Sequence, residues 1–263
     1  MIETQHNTLK RVVVVGSGNL AEALAHALSQ SSLELVGILA RNEARGRALA
    51  LSCGSTWSND FQHPQPADIY LISVSDRAVA EVAQSLCVDA SAVVAHTAGC
   101  VPIEALKPHA QRAVFYPLMT FTKGRQVDFS VIPLFLESSQ SLMPRMEAFA
   151  RQLSSSIHHA DSAMRERIHL SGVFANNFVN HLYALAEQVV ASAELDFDVL
   201  KPIIYETAQK ACDSSSPRMV QTGPAIRGDQ GTQQRHIELM TDDKMKDIYT
   251  KISQNIWEIS RKI

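Results

Sequence analysis

The feature that most limits what this chain can fold into is a junction near its start. Arg11 to Val15 reads Arg-Val-Val-Val-Val, too short for a helix and apolar on both faces, as a strand buried inside a parallel sheet requires. Gly16-Ser17-Gly18-Asn19-Leu20-Ala21 follows at once. Leu20, Leu24 and Leu28, with Ala21 and Ala25 between them, then recur at helical spacing up to the serines at 29–32. Strand, glycine turn and helix join without a gap, and the turn fits G-x-G-x-x-G/A with alanine last. Gly16 permits the tight turn, Gly18 lets a pyrophosphate approach the backbone, and Ala21 lets the helix pack near the strand. The helix amino terminus would face the anion across Ser17, Asn19 and Leu20. The reading is a dinucleotide site; the plain alternative is an ordinary strand-to-helix turn.

Residues 1–160 continue this alternation. Further strands are expected at Leu33–Leu39, Asp68–Val74, Ala92–His96, Ala113–Tyr116 and Val131–Leu136, separated by helical or turn segments. This predicts an α/β half, a Rossmann-type parallel sheet covered by helices. From Asp161 the β-branched runs stop, and one helix of roughly 30 residues is expected to reach Leu195. It is apolar on most of its circumference, so surrounding structure must bury it. Asp198 is expected to cap the next helix, with Pro202 in its first turn, and Thr241 to cap the last, whose final turn carries Arg261 and Lys262. Residues 161–263 therefore read as an all-helical domain built around one long helix. Its heavily apolar faces predict a homodimer through that domain.

Composition narrows the function. Lysine and arginine number 24 against 27 acidic residues, for a net charge of −3, so no basic field exists for a nucleic-acid partner. No apolar run approaches the roughly 20 residues that span a bilayer, and Met1 to Lys10 is too polar for a signal peptide. A cytoplasmic protein with a small-molecule substrate is expected. Cys53, Cys87, Cys100 and Cys212 form no C-x-x-C pair, so they are expected to be reduced core residues, with no metal site.

The second strand ends Ile38-Leu39-Ala40-Arg41-Asn42, where an NAD site would place a carboxylate. Arg41, aided by Arg45, could instead hold a 2′-phosphate, so the expected cofactor is NADP. The alternative leaves Arg41 solvated and sends Glu43 to the ribose. A methyltransferase also uses a glycine-rich first turn, but its third glycine would fall at Leu20 and its ribose-binding acid is missing. Ser73, Val74, Ser75 and Asp76 end the fourth strand at the same sheet edge, where ribose contacts are expected. His96 ends another strand there and is expected to face the cleft, bonding cofactor or substrate or else holding the Thr97-Ala98-Gly99 turn. Tyr116-Pro117 reads as a rigid strand end.

The turn at 16–24 resembles the start of pyrroline-5-carboxylate reductases, and the two-part layout resembles the 6-phosphogluconate dehydrogenase-like superfamily. His96-Thr97-Ala98-Gly99, Phe115-Tyr116-Pro117-Leu118, His169 to Asn177 and Thr222 to Asp229 together resemble a narrower family. Its members pair a Rossmann-like domain with a helical C-terminal domain of unknown function and are described as NADP oxidoreductases of undefined substrate. In the related hydroxyacid dehydrogenases, a catalytic lysine stands three residues before an Asn-Asn pair. Here Asn176-Asn177 are present, but the lysine position is Val173, which cannot transfer a proton.

On helical spacing His169, Asn176 and Asn180 share one face. His169 is the candidate general acid for reducing a carbonyl or imine, with the asparagines orienting substrate; a structural role at a domain seam is the alternative. The loop Thr222-Gly-Pro-Ala-Ile-Arg-Gly-Asp229 presents Arg227 and Asp229, as a clamp for a substrate carboxylate or as an ion pair of their own. The sequence thus leaves three functions open: an NADP-dependent oxidoreductase acting on a small C=O or C=N substrate, a non-catalytic NADPH sensor, and a pyrroline-5-carboxylate reductase proper.

Overall fold

A computed structural model describes residues 8–261. Residues 1–7 and Lys262, both used in the sequence reading, lie outside the described residues. The chain divides into two compact units, one ending at Asn176 and one beginning at Asn177.

The first unit opens with β1 (Arg11–Val15), α1 (Asn19–Ser29), β2 (Glu34–Leu39), α2 (Glu43–Ser52) and β3 (Trp57–Ser58). β4 (Ile69–Ile72), α3 (Val79–Ser85), β5 (Val93–His96), β6 (Arg112–Pro117), β7 (Leu134–Ser138), α4 (Met143–Ala150), β8 (Ile157–His159) and α5 (Ser162–Gly172) follow. Eight strands form one sheet in the order β3-β2-β1-β4-β5-β6-β7-β8. β1 is central, and its valines alternate between two cores. Val12 and Val14 join Leu24, Leu28 and Phe149 on one face, while Val13 and Val15 join Ile72, Val82 and Leu106 on the other. A run that is apolar at every position is what a doubly covered strand needs.

Two edge strands, β3 and β8, were not expected, and the sheet is mostly rather than wholly parallel. β7 runs antiparallel to β6, pairing Phe115 with Leu136, and β8 returns parallel to β7. No α-helix lies between β6 and β7, so nothing carries the chain back across the sheet for a parallel pairing.

Helical residues run from Ser162 to Ala191, passing through α5, a π-turn at Val173–Phe178 and α6 (Val179–Ala191). The break between the units falls inside this π-turn, later in the chain than the expected boundary at 160/161. The cause is that α5 is anchored to the sheet. Arg165 is fully buried, pairs with Glu137 of β7, and donates to the Val101 carbonyl at 2.8 Å.

The second unit adds α7 (Lys201–Asp213), α8 (Gln230–Leu239) and α9 (Asp243–Ser260). The expected caps shift by a residue or two. Asp196 caps the short 3-10 turn before α7 by accepting from the Asp198 N–H, while Asp198 pairs with Lys201. Asp242, not Thr241, accepts from the Lys244 and Met245 N–H groups at the start of α9. The long helix is not enclosed within one chain: Leu170, Leu182 and Val189 are exposed. The cysteines are free, but only Cys53 is partly buried, and Cys87, Cys100 and Cys212 are exposed rather than core. Among the described residues no helix is long and apolar enough to cross a membrane, and no group of three or more His, Cys, Asp or Glu could hold a metal ion.

Candidate active site

The glycine turn between β1 and α1 opens onto a groove of about 420 Å³ at the carboxyl edge of the sheet. Gly16, Ser17, Gly18, Asn19 and Leu20 line it from the first turn; Arg41 enters after β2, and Val74 and Ser75 after β4. Ser73, Ala40, Asn42 and Ala78 complete the wall. The residues expected to bind the dinucleotide thus share one groove, except His96, Asp76 and Arg45.

The turn fits an extended diphosphate. Gly16 has φ +133°, and any Cβ there would collide with the Ser73 carbonyl. A Cβ on Gly18 would meet nothing within 4 Å, so the space above it is open. Gly18 starts α1 in extended conformation with no side chain capping the helix. The α-helices that likewise begin from an extended residue among the described residues are capped by side chains: α2 by Asn42, α5 by Asp161 and α9 by Asp242. The amide donors of the first turn of α1 are therefore left for an anion. Arg41 is exposed at the rim and pairs with Glu81 at 3.3 Å. Glu43 is turned away, bonded to Arg47 at 2.8 Å. Arg45 contributes its backbone N–H to the Asn42 cap.

His96 departs from expectation. It is 0% exposed, not open to a cleft, because β5 is hydrogen-bonded to β4 and β6 on either side and the Thr97–Gly99 turn folds over its end. Its Nδ1 accepts from the Ala98 N–H at 3.2 Å. Burial, reinforced by the Arg165 guanidinium, lowers its pKa to about 4, so the ring is neutral and holds the turn.

His169 lies on exposed α5 with Nδ1 3.2 Å from the Tyr116 hydroxyl at the end of β6. Gly99 comes up against both: a Cβ on it would stand 2.9 Å from Tyr116 Cζ and 3.0 Å from His169 Nδ1. Burial, with smaller contributions from Cys100 and Asp76, pushes the Tyr116 phenol up to about 12. From sequence Tyr116 was only a rigid strand end, and the Arg165–Glu137 pair was not foreseen. The only local signal was a tyrosine at the carboxyl end of a strand.

Asn176 lies in the π-turn and Asn180 in α6. The 3.6-residue phase assumed for His169, Asn176 and Asn180 does not hold through an i→i+5 turn, although π-turns are frequent at functional sites. In the second unit Asp229 caps α8, accepting from the Thr232 N–H at 3.0 Å, which holds its carboxyl below the usual carboxylate range. Arg227 stands in the preceding turn, next to Gly228 at φ +64° packed on Trp257.

The Rossmann-like domain family matches residues 3–120, and the domain of unknown function DUF2520 matches residues 132–256. The solved structure of the putative NADP oxidoreductase BF3122 from Bacteroides fragilis is 37% identical, with TM-score 0.88, covering 97% of this chain and 100% of that one. An imine reductase from Pseudomonas sp. shares the fold at 14% identity and TM-score 0.69, over 94% of this chain and 93% of its own. So does the 1-pyrroline-5-carboxylate reductase of Streptococcus pyogenes, at 11% identity and TM-score 0.64, over 98% of this chain and 100% of its own. A search of curated proteins found no match. The chain belongs to the family that BF3122 represents, in which a Rossmann-like domain precedes a DUF2520 helical domain.

Proposed function

We propose that this protein is an NADP-dependent oxidoreductase that reduces a C=O or C=N group of a small molecule. The observation that carries the reading is the groove, where an uncapped helix terminus, a glycine that tolerates no side chain and Arg41 line one wall. The amide groups of residues 17–20 hold the diphosphate, Arg41 holds the 2′-phosphate, and Val74 and Ser75 contact ribose. Bound there, the coenzyme supplies a hydride. The chain's own residues bind, orient and supply a proton: Asn176 orients the substrate, and His169 belongs to the proton source. His96, buried and neutral, keeps the Thr97–Gly99 turn in place and acts through it.

In this reading a homodimer forms through the helices of the second unit. Val199, Ile203 and Tyr205 stand exposed along one stretch of it, Tyr205 at 75%. The deciding experiment is calorimetric titration with NADPH and NADH, followed by NADPH oxidation with small imines and ketones. Binding of NADPH at least tenfold tighter than NADH, with turnover, supports the reading; no heat with either coenzyme overturns it. Val173, in the place of the lysine of related dehydrogenases, favours a second reading, a sensor that binds NADPH without oxidising it. That reading requires tight binding and no turnover with any substrate.

A further inference from the structure

Tyr116, next to last in β6, is 8% exposed, and its ring lies between Phe135 at 6.2 Å and His169 at 6.3 Å, centroid to centroid. Its hydroxyl is the atom that meets His169 Nδ1. The turn after β5 reaches this pair through Gly99, which has no side chain to hold them apart. That same turn is tied to the coenzyme groove. The Thr97 N–H donates to the Ile72 carbonyl at 3.1 Å, and the Thr97 hydroxyl donates to Ser73 Oγ, in the groove wall, at 3.3 Å. Along the sheet edge β6 stands three strands from β1, roughly 14 Å from the phosphate turn. A dinucleotide lying across the edge from that turn therefore extends toward Tyr116.

We propose that Tyr116 hands the proton to the reduced substrate and that His169 stands behind it as the group that replaces that proton. The proposal rests on the reductase reading above. As the substrate carbon accepts hydride, the C=N or C=O π pair moves onto the heteroatom. The Tyr116 O–H bond breaks, the new N–H or O–H bond forms, and a phenolate remains. His169 Nδ1–H returns a proton to that oxygen, and the exposed imidazole regains one from solvent. NADPH is oxidised by two electrons, the substrate is reduced by two, and one solvent proton is consumed. The phenol holds its proton at neutral pH because burial disfavours the anion. Tyr116 is thus the catalytic residue and His169 a positioning residue acting through it.

The test compares wild type, Tyr116→Phe and His169→Asn for NADPH affinity, melting temperature and NADPH oxidation with 1-pyrroline and with acetone. Tyr116→Phe should bind NADPH within about twofold of wild type and keep its KM, yet lose 10²- to 10⁴-fold in kcat. His169→Asn should lose less and show a larger solvent deuterium isotope effect on kcat, because proton replacement has become slow. Wild-type turnover that persists in Tyr116→Phe overturns the proposal and leaves the reductase reading standing. A kcat loss accompanied by lost NADPH affinity also overturns it, since the role is then structural. If wild type binds NADPH but oxidises it with neither probe, the reductase reading is the one that fails for these substrates, and ¹⁵N spectra of His169 decide the pair. Tyr116→Phe must then shift its Nδ1 resonance, and an unchanged spectrum overturns the coupling.

Discussion

The Ser73 carbonyl occupies the space that any side chain on Gly16 would need, and Gly16 also sits at φ +133°. The two constraints add, since one is steric and the other conformational. Gly16→Ala is expected to destabilise the fold by about 2 kcal/mol or more and to abolish NADPH binding. Gly18→Ala makes the informative contrast: its backbone is extended and its Cβ meets only open space, so the melting temperature should hold while NADPH affinity falls at least tenfold. Paired thermal melts and calorimetry separate the two effects.

In the proposed function Arg41 sets the coenzyme preference. Its partner Glu81 is well exposed, so the pair contributes well under 1 kcal/mol to stability. Arg41→Ala should leave the melting temperature in place and lower the ratio of NADH to NADPH dissociation constants at least tenfold. An unchanged ratio would return the ribose phosphate to some other group.

His96 predicts a loss of stability in acid. Its pKa falls from the ordinary 6.5 to about 4 on folding, so between those values the unfolded chain binds the proton and the folded chain does not. The contribution of the neutral ring is complete above about pH 6.5 and is lost as pH falls toward 4, on the order of 3 kcal/mol in all. Denaturant melts from pH 7 to 4 should show this slope, and His96→Gln should flatten it.

Arg165 is buried with its charge paired to Glu137 and its other bonds going to the Ala160 and Val101 carbonyls and the Ser162 hydroxyl. Glu137→Leu leaves an uncompensated guanidinium in the interior and is expected to cost about 3 to 5 kcal/mol. Replacing both residues by apolar ones should restore much of that loss. Urea melts of the single and double variants measure the coupling.

Assembly is open to a direct measurement. With Val189, Val199 and Ile203 exposed, light scattering should return twice the 28.9 kDa of one chain. Ile203→Asp should shift the mass toward one chain. A wild-type mass of a single chain at micromolar concentration would remove the homodimer.

What could be read from the sequence was what local pattern dictates. β1, the glycine turn and α1 follow from adjacent residues, so it was legible that Gly16, Gly18, Arg41, Val74 and Ser75 would meet at one sheet edge, where they line a groove. β3 and β8 were not: Trp57–Ser58 and Ile157–His159 are short and partly polar, and only their neighbours' exposed edges make them strands. His96 was expected in the open because a strand end suggests exposure; its burial depends on β4 and β6, whose register the sequence does not state. Tyr116 read as a simple strand end because the residue that gives it chemical meaning, His169, lies 53 positions away. The Asp196 and Asp242 caps were misplaced by a residue or two because several adjacent polar side chains could each have served.

The bare start of α1 carries a design consequence. A serine at position 18 would satisfy those amides from within and gain a few tenths of a kcal/mol. The same hydroxyl would compete with the ligand for the donors that attract it. Improving the empty protein's thermal resistance at this spot therefore works against its affinity, and a directed-evolution campaign scored on heat tolerance alone would drift toward a sturdier protein with nothing in its groove.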